Sequence, residues 1–189
     1  MDGDQKADIA VWRPSNSTWY IYQSSNGGTR SLAWGAQSLG DIPVSGDFDG
    51  DGKGDIAVWR TSNSIWYILF ANGTYRTVAW GEQSLGDIPV TGDYDGDGKT
   101  DIAVWRGAEG RWYILRSTDQ QYELSSWGAA YAPYNDVPVP GDYDGDGKTD
   151  MAFYRGSGEW WIWRSQTNNY SVLLYGNTGD TPVPSAYVR

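Results

Sequence analysis

A chain of 189 residues is long enough for one domain with a sizeable core, or for two small ones. With 39% hydrophobic and 15% aromatic residues it is too apolar for a disordered chain, and with no cysteine and no histidine it offers neither disulfides nor a Ser-His-Asp triad. A net charge of −10 argues against nucleic acid as a partner, and no run of 18 apolar residues offers a membrane span.

In chain order, the opening Met-Asp-Gly-Asp-Gln-Lys carries no apolar run of signal-peptide type, so a targeting segment is expected to lie outside this chain. The first element is an acidic loop running into a strand, DGDQKADIAVWR at 2–13. The same unit returns as DFDGDGKGDIAVWR at 47–60, DYDGDGKTDIAVWR at 93–106 and DYDGDGKTDMAFYR at 142–155, with loop starts 46 and then 49 residues apart. Counting six residues on from each arginine gives Trp19, Trp66, Trp112 and Trp161 as one repeated position. An aromatic-glycine pair follows at Trp34-Gly35, Trp80-Gly81, Trp127-Gly128 and Tyr175-Gly176. Each unit then closes on an acid and a Pro-Val, beginning at Asp41, Asp87, Asp136 and Asp180.

Ile-Ala-Val-Trp, Trp-Tyr-Ile-Leu and Thr-Val-Ala-Trp are short β-branched and aromatic runs, separated by Asn, Gly and Ser turns such as 61–64 and 71–74. Four short strands per unit at a period near 46 predict the blades of a β-propeller. Apolar residues on both strand faces, as in Ile56 and Val58 with Ala57 and Trp59, suit sheets packed between neighbouring sheets. A sandwich or an open β-solenoid is the alternative.

The acidic loops carry the chemistry. Four carboxylates within nine residues repel one another unless a cation neutralises them, and the interleaved glycines let a tight loop wrap its oxygens round one ion. Oxygen donors without nitrogen or sulfur select Ca²⁺ over transition metals, and the number of protein ligands favours it over Mg²⁺. The expected ligands are the carboxylates at loop positions 1, 3, 5 and 9 and the backbone carbonyl at position 7. That gives Asp47, Asp49, Asp51, Lys53 and Asp55; Asp93, Asp95, Asp97, Lys99 and Asp101; and Asp142, Asp144, Asp146, Lys148 and Asp150. The first loop retains Asp2, Asp4, Lys6 and Asp8 but lacks position 1, and Ala186 stands where the closing segment would supply it, so weaker binding is expected there. The bland reading, solvated Asp-Gly turns, is set against three full copies at regular spacing. These loops hold 15 of the 20 aspartates, so the acidity describes cation sites rather than an acidic binding face.

The loop, its Gly-Asp-Tyr/Phe-Asp-Gly-Asp-Gly frame and the following Asp-Ile-Ala-Val resemble the FG-GAP/VCBS repeats of integrin α-subunit propellers and of many secreted bacterial proteins. The resemblance implies that the calcium loop joins the innermost strand of a blade, of the 42–46 type, to the second, of the 56–60 type. Strands of the 66–70 and 77–80 types follow. It implies one propeller domain over 1–189, with blades at 8–36 plus 181–188, 41–82, 87–130 and 136–176. In this frame the C-terminal strand at 182–187 completes the first blade and seals a four-bladed ring. A strand-sharing dimer with an eight-bladed ring is the other reading, and the monomer, which needs no partner, is preferred.

The expected function is a non-enzymatic, calcium-stabilised binding or adhesion module, extracellular, with a protein or glycan partner. A lectin-like propeller and an accessory repeat domain of a larger secreted polysaccharide-active enzyme are the alternatives. Residues that break the repeat are the ligand candidates: Trp160 and Trp163 in the last unit, and Tyr131 and Tyr134 in its preceding insertion. Arg13, Arg60, Arg106 and Arg155 are expected to pair with the repeated acids or to stack on rings. Glu82, Glu109, Glu123 and Glu159 are scattered singly, with no acid pair suited to glycoside chemistry.

Overall fold

The computed structural model describes residues 1–4, 6–129 and 134–183, which form an all-β fold of antiparallel sheets. The first sheet holds β1 (Ile9–Arg13), β2 (Thr18–Tyr22) and β3 (Thr29–Ala33). The second holds β4 (Asp41–Gly46), β5 (Asp55–Arg60), β6 (Ile65–Leu69) and β7 (Tyr75–Ala79). The third holds β8 (Asp87–Pro89), β9 (Ile102–Arg106), β10 (Arg111–Leu115) and β11 (Tyr122–Ser126). The fourth holds β12 (Val137–Pro138), β13 (Met151–Arg155), β14 (Glu159–Arg164) and β15 (Asn169–Leu174). Strand order follows chain order in every sheet, so each is a meander of hairpins with the acidic loop between the first two strands of sheets two to four. Pro43, Pro89 and Pro138 all sit on the edge strand that begins its sheet, where a missing N–H costs no ladder bond.

Thr181–Val183 belong to no strand, and the rest of the stretch expected to complete the first blade, including Ala186, lies outside the described residues. Among the described residues the first sheet therefore has three strands.

The chain divides into two compact units, one spanning Met1–Gln83 and the other beginning at Ser84. In the first unit, Trp19 and Ile21 of the first sheet pack on Ile56 and Val58 of the second, with Trp12, Leu32 and Trp34 around them. In the second unit, Ala103, Trp105, Trp112 and Ile114 form the core of the third sheet, with Trp127 and Met151 against it. Both faces of β5 and β9 are buried, as the doubly apolar strand pattern predicts.

The aromatic-glycine pair has a steric reason. A Cβ on Gly35 would stand 2.9 Å from Val58 Cγ1, and one on Gly128 would stand 2.8 Å from Phe153 Cδ1. Both glycines also have positive φ, +98° and +84°. Gly128→Ala is expected to cost roughly 1–3 kcal/mol by combined backbone strain and overpacking, measured by chemical denaturation. No loss would show that the sheet-to-sheet approach is softer than drawn.

One sequence reading is corrected. The turn between the second and third repeat strands spans 14–17, 61–64 and 107–110 in the first three sheets but only 156–158 in the fourth. Counting from the arginine therefore runs one residue too far. The register pairs Trp12 with Trp19, Trp59 with Trp66, Trp105 with Trp112 and Tyr154 with Trp160. Trp160, not Trp161, is the fourth copy of the core tryptophan. Its Nε1 donates to the Tyr175 carbonyl at 2.9 Å, as Trp66 donates to Trp80 and Trp112 to Trp127.

Candidate metal centre

Each acidic loop is folded by its own carboxylates. Asp47 accepts N–H bonds from Gly50, Asp51 and Gly52, and Asp93 accepts the equivalent three from Gly96, Asp97 and Gly98. Asp142 accepts from Gly145 and Gly147. The position-5 aspartates Asp4, Asp51, Asp97 and Asp146 each accept the N–H of the position-7 lysine at 2.8–2.9 Å. Lys53 also brings its Nζ within 3.9 Å of Asp51.

The last aspartate of each loop is the anchor. Asp55, Asp101 and Asp150 are at most 1% exposed. One oxygen of each accepts the N–H of the aromatic residue at loop position 2, Phe48, Tyr94 or Tyr143. The other accepts the N–H that begins a distant hairpin turn, at Ala71, Ser117 or Ser165. Asp8 takes the same bond from Ser24. That turn also supplies hydroxyls: Ser24 to Asp4, Ser25 to Asp2, Ser117 to Asp97, Thr118 to Asp95 and Ser165 to Asp146. Sequence reasoning overlooked these side chains. Their signal is a turn residue 16 positions after the last loop aspartate, or 15 in the fourth sheet with its shorter turn.

Carboxylate oxygens converge to within 4.8 Å of one another in four groups: Asp2, Asp4 and Asp8; Asp47, Asp49 and Asp55; Asp93, Asp95 and Asp101; and Asp142, Asp144 and Asp146. The first loop thus assembles a cluster without its position-1 acid. Asp51, Asp97 and Asp150 stand outside these triplets, although each belongs to the expected ligand set. Lys6, Lys53, Lys99 and Lys148 occupy the loop position from which a backbone carbonyl was expected. An all-oxygen donor set of this density fits a hard divalent cation and suits no thiophilic metal.

Burial pushes Asp55 and Asp101 up to about 6, with the N–H bonds they accept acting in the opposite direction. Burial likewise raises Asp93 and Asp150. A folded-state value above the unfolded one near 4 means Asp55 and Asp101 favour the metal-free fold when protonated, a contribution lost as pH rises through about 6. A bound cation needs the ionised form, so calcium binding follows the opposite sense. Calcium affinity of the two clusters that contain Asp55 and Asp101, titrated calorimetrically, is expected to fall about fourfold between pH 7.5 and 5.5 as protons compete. An affinity flat across that window would remove these carboxylates from the ligand set.

The repeated arginines do both things expected of them. Arg60, Arg106 and Arg155 form two-point ion pairs with the buried Asp41, Asp87 and Asp136. Arg60 and Arg106 also lie over the rings of Tyr67 and Tyr113, at 4.2 and 4.4 Å. Arg155 lies 4.4 Å over Tyr134, because Trp161 has taken the place of that tyrosine in β14. Tyr134 is thereby a stacking partner. Trp163 packs edge-on against Trp127 at 5.3 Å, Trp160 packs partly buried against the core of the fourth sheet, and Tyr131 lies outside the described residues. Trp161 stacks on Phe153 on one side and on the half-exposed Tyr170 on the other.

A family model described as an FG-GAP-like repeat matches the chain three times, at residues 1–58, 47–104 and 93–153. No curated protein sequence matches it. Among solved structures, the virginiamycin B lyase of Staphylococcus aureus is similar over 88% of this chain and 52% of its own, with 8% identity and a TM-score of 0.53. A streptogramin B lyase is similar over 92% and 52% respectively, with 13% identity and a TM-score of 0.53. PorZ, a surface component of the type-IX secretion system of Porphyromonas gingivalis, gives 12% identity over 89% of this chain and 28% of its own, with a TM-score of 0.42. The chain spans about half the length of the two lyases, and at these identities the likeness is one of fold.

Proposed function

The chain belongs to the FG-GAP-like repeat family, and from that premise we propose that it is a calcium-stabilised, non-enzymatic binding scaffold that works outside the cell. The observation that carries the reading is the recurrence of a three-carboxylate cluster in each of the four acidic loops, each tied to a hairpin turn of its own sheet. An ion there clamps two segments about 16 residues apart and couples folding to calcium concentration. Free calcium is abundant outside cells, which is the argument for location. No described helix is long and apolar enough to cross a membrane.

The glutamates support the non-enzymatic reading. Glu109 is engaged with Tyr113, Arg106 and Arg111, and Glu159 accepts the Trp161 N–H, so neither is presented as a free acid. Kinship of fold with two lyases does not transfer their activity. The finer architecture, a propeller whose first sheet is completed by the 181–188 segment, is supported by the four-fold repeat and by a first sheet of three strands, against four in the others, among the described residues. Truncation before residue 181 is then expected to destabilise the chain.

The partner is read as a protein, with a glycan as the second reading because the Phe153–Trp161–Tyr170 stack ends on a half-exposed ring. Calcium titration by calorimetry on chelator-stripped protein tests the metal assignment, with three tightly bound ions per chain expected and a weaker fourth at the Asp2, Asp4 and Asp8 cluster. Heat-free injections would remove it. A glycan array read with and without Tyr170→Ala decides between the partner classes: signal lost with the ring supports the glycan, and no signal at all supports a protein. Lyase or hydrolase turnover by the purified chain would overturn the scaffold reading.

A further inference from the structure

The three complete loops carry aspartates at the same four positions, so ligand charge alone would make three equal sites. The distal turn of each sheet breaks that equality. Its first residue donates its N–H to the last loop aspartate in every sheet, but it is serine in the first, third and fourth and alanine in the second.

The serine side chain holds a second carboxylate, the one at loop position 5. Ser24 Oγ lies 2.9 and 3.0 Å from the two oxygens of Asp4. Ser117 Oγ donates to Asp97 Oδ2 at 2.8 Å, and Ser165 Oγ to Asp146 Oδ2 at 2.7 Å. Oδ1 of both aspartates already accepts the N–H of the lysine two residues on, so each carboxylate is pinned at both oxygens. In the third sheet Thr118 Oγ1 also bridges Asp97 to Asp95. Asp51 has the same backbone bond from Lys53, but Ala71 has no hydroxyl to offer it. Its Oδ2 instead stands 3.9 Å from the half-exposed Lys53 ammonium. Asp4 and Asp146 are members of their converging carboxylate groups, and Asp51 stands outside its own.

We propose that the first residue of the distal turn sets the calcium affinity of its loop, and that Ala71 makes the second-sheet loop the weakest of the three complete sites. It is then the first of them to empty as calcium falls. Given the calcium reading above, on which this assignment rests, the difference is one of rigidity. A carboxylate held at both oxygens is ordered before the ion arrives, whereas Asp51 has to be ordered by the ion and drawn away from Lys53. A carboxylate has about four acceptor positions, so two donors leave room for a cation. Outer hydrogen bonds to metal ligands are worth about 10–100-fold in affinity, and one hydroxyl is set at about tenfold.

Calorimetric calcium titration of chelator-stripped variants reads the effect. Ala71→Ser is expected to tighten one ion about tenfold and Ser165→Ala to loosen one about tenfold, each with the number of ions unchanged. Ser165→Thr keeps the hydroxyl and is expected to keep the original affinity. All three substitutions retain the turn N–H that holds Asp55 or Asp150. Hydrogen exchange on the unmodified chain at stepwise lowered calcium locates the weak ion: amides of 47–55 are expected to lose protection before those of 93–101 and 142–150. Affinities unmoved by these exchanges, or protection lost together from the three loops, would overturn the role of the turn while calcium binding itself stands. A chain that takes up no calcium overturns both.

Discussion

Removing calcium is expected to lower the melting temperature by roughly 20 °C. Each cluster gathers three carboxylates whose oxygens lie within 4.8 Å, and like charges at such a separation repel by about 1–4 kcal/mol per pair, depending on the local dielectric. The loop backbone answers with N–H bonds, but these satisfy the oxygens without neutralising the charge. A divalent cation does both. At free calcium a hundredfold above the dissociation constant, each occupied site stabilises the fold by about 2.7 kcal/mol. Three such sites amount to about 8 kcal/mol, and for chains of this size each kcal/mol is worth about 2–4 °C. Differential scanning calorimetry in calcium and in EGTA measures the shift, and magnesium is expected to restore only a small part of it because it retains its waters. Asp95→Asn should remove the contribution of one cluster and leave the others. An unchanged melting temperature in EGTA would end the calcium assignment.

Much of this site was legible in the sequence because the loop is local. Odd-numbered aspartates and glycines with positive φ are all within nine residues, so spacing alone places their oxygens together. The other half of the site is not local. The backbone N–H groups of Ser24, Ala71, Ser117 and Ser165 reach the last loop aspartate from the far end of the next hairpin, and a small residue in a turn has no composition that separates it from any other turn. Only the recurrence of its offset marks it. The strands were legible for the same reason as the loop: runs such as Ile56–Arg60 are buried on both faces and bounded by turn residues on each side.

Register was the weak point, and the cause is a single missing turn residue. Counting along the chain treats Gly156-Ser157-Gly158 as if it had the four residues of 61–64, which moves every later residue of the unit to the opposite face. Trp160 and Trp161 exchange roles under that shift. The tryptophan that appeared to break the repeat is the one that keeps it, and the one that appeared to keep it stacks between Phe153 and Tyr170. The side-chain register of a strand is set by pairing, and pairing is set by turn length, which a repeat alignment anchored on the preceding strand does not measure.

The arginine at the end of each Ile-Ala-Val-Trp strand offers the sharpest separation between identical sequence and unequal energy. Asp136 is buried, receives Arg155 Nε at 2.8 Å and Nη2 at 3.0 Å, and accepts the Ala129 N–H at 2.8 Å. Asp41 is held in the same way by Arg60 and Ala36. Asp136→Ala therefore strands a half-buried guanidinium and a buried amide together, and is expected to cost about 3–5 kcal/mol in chemical denaturation. Arg13 occupies the same repeat position but lies over Tyr20 at 4.3 Å with no acid beside it among the described residues. Arg13→Ala is expected to cost about 1 kcal/mol or less, the range of an exposed cation–π contact. Replacing both partners of a clamp, Asp41→Leu with Arg60→Met, should recover most of the loss from Asp41→Ala, because no charge is then left buried without its partner. Equal losses from Arg13→Ala and Arg60→Ala would show that stacking on tyrosine, rather than the buried carboxylate, holds the clamp.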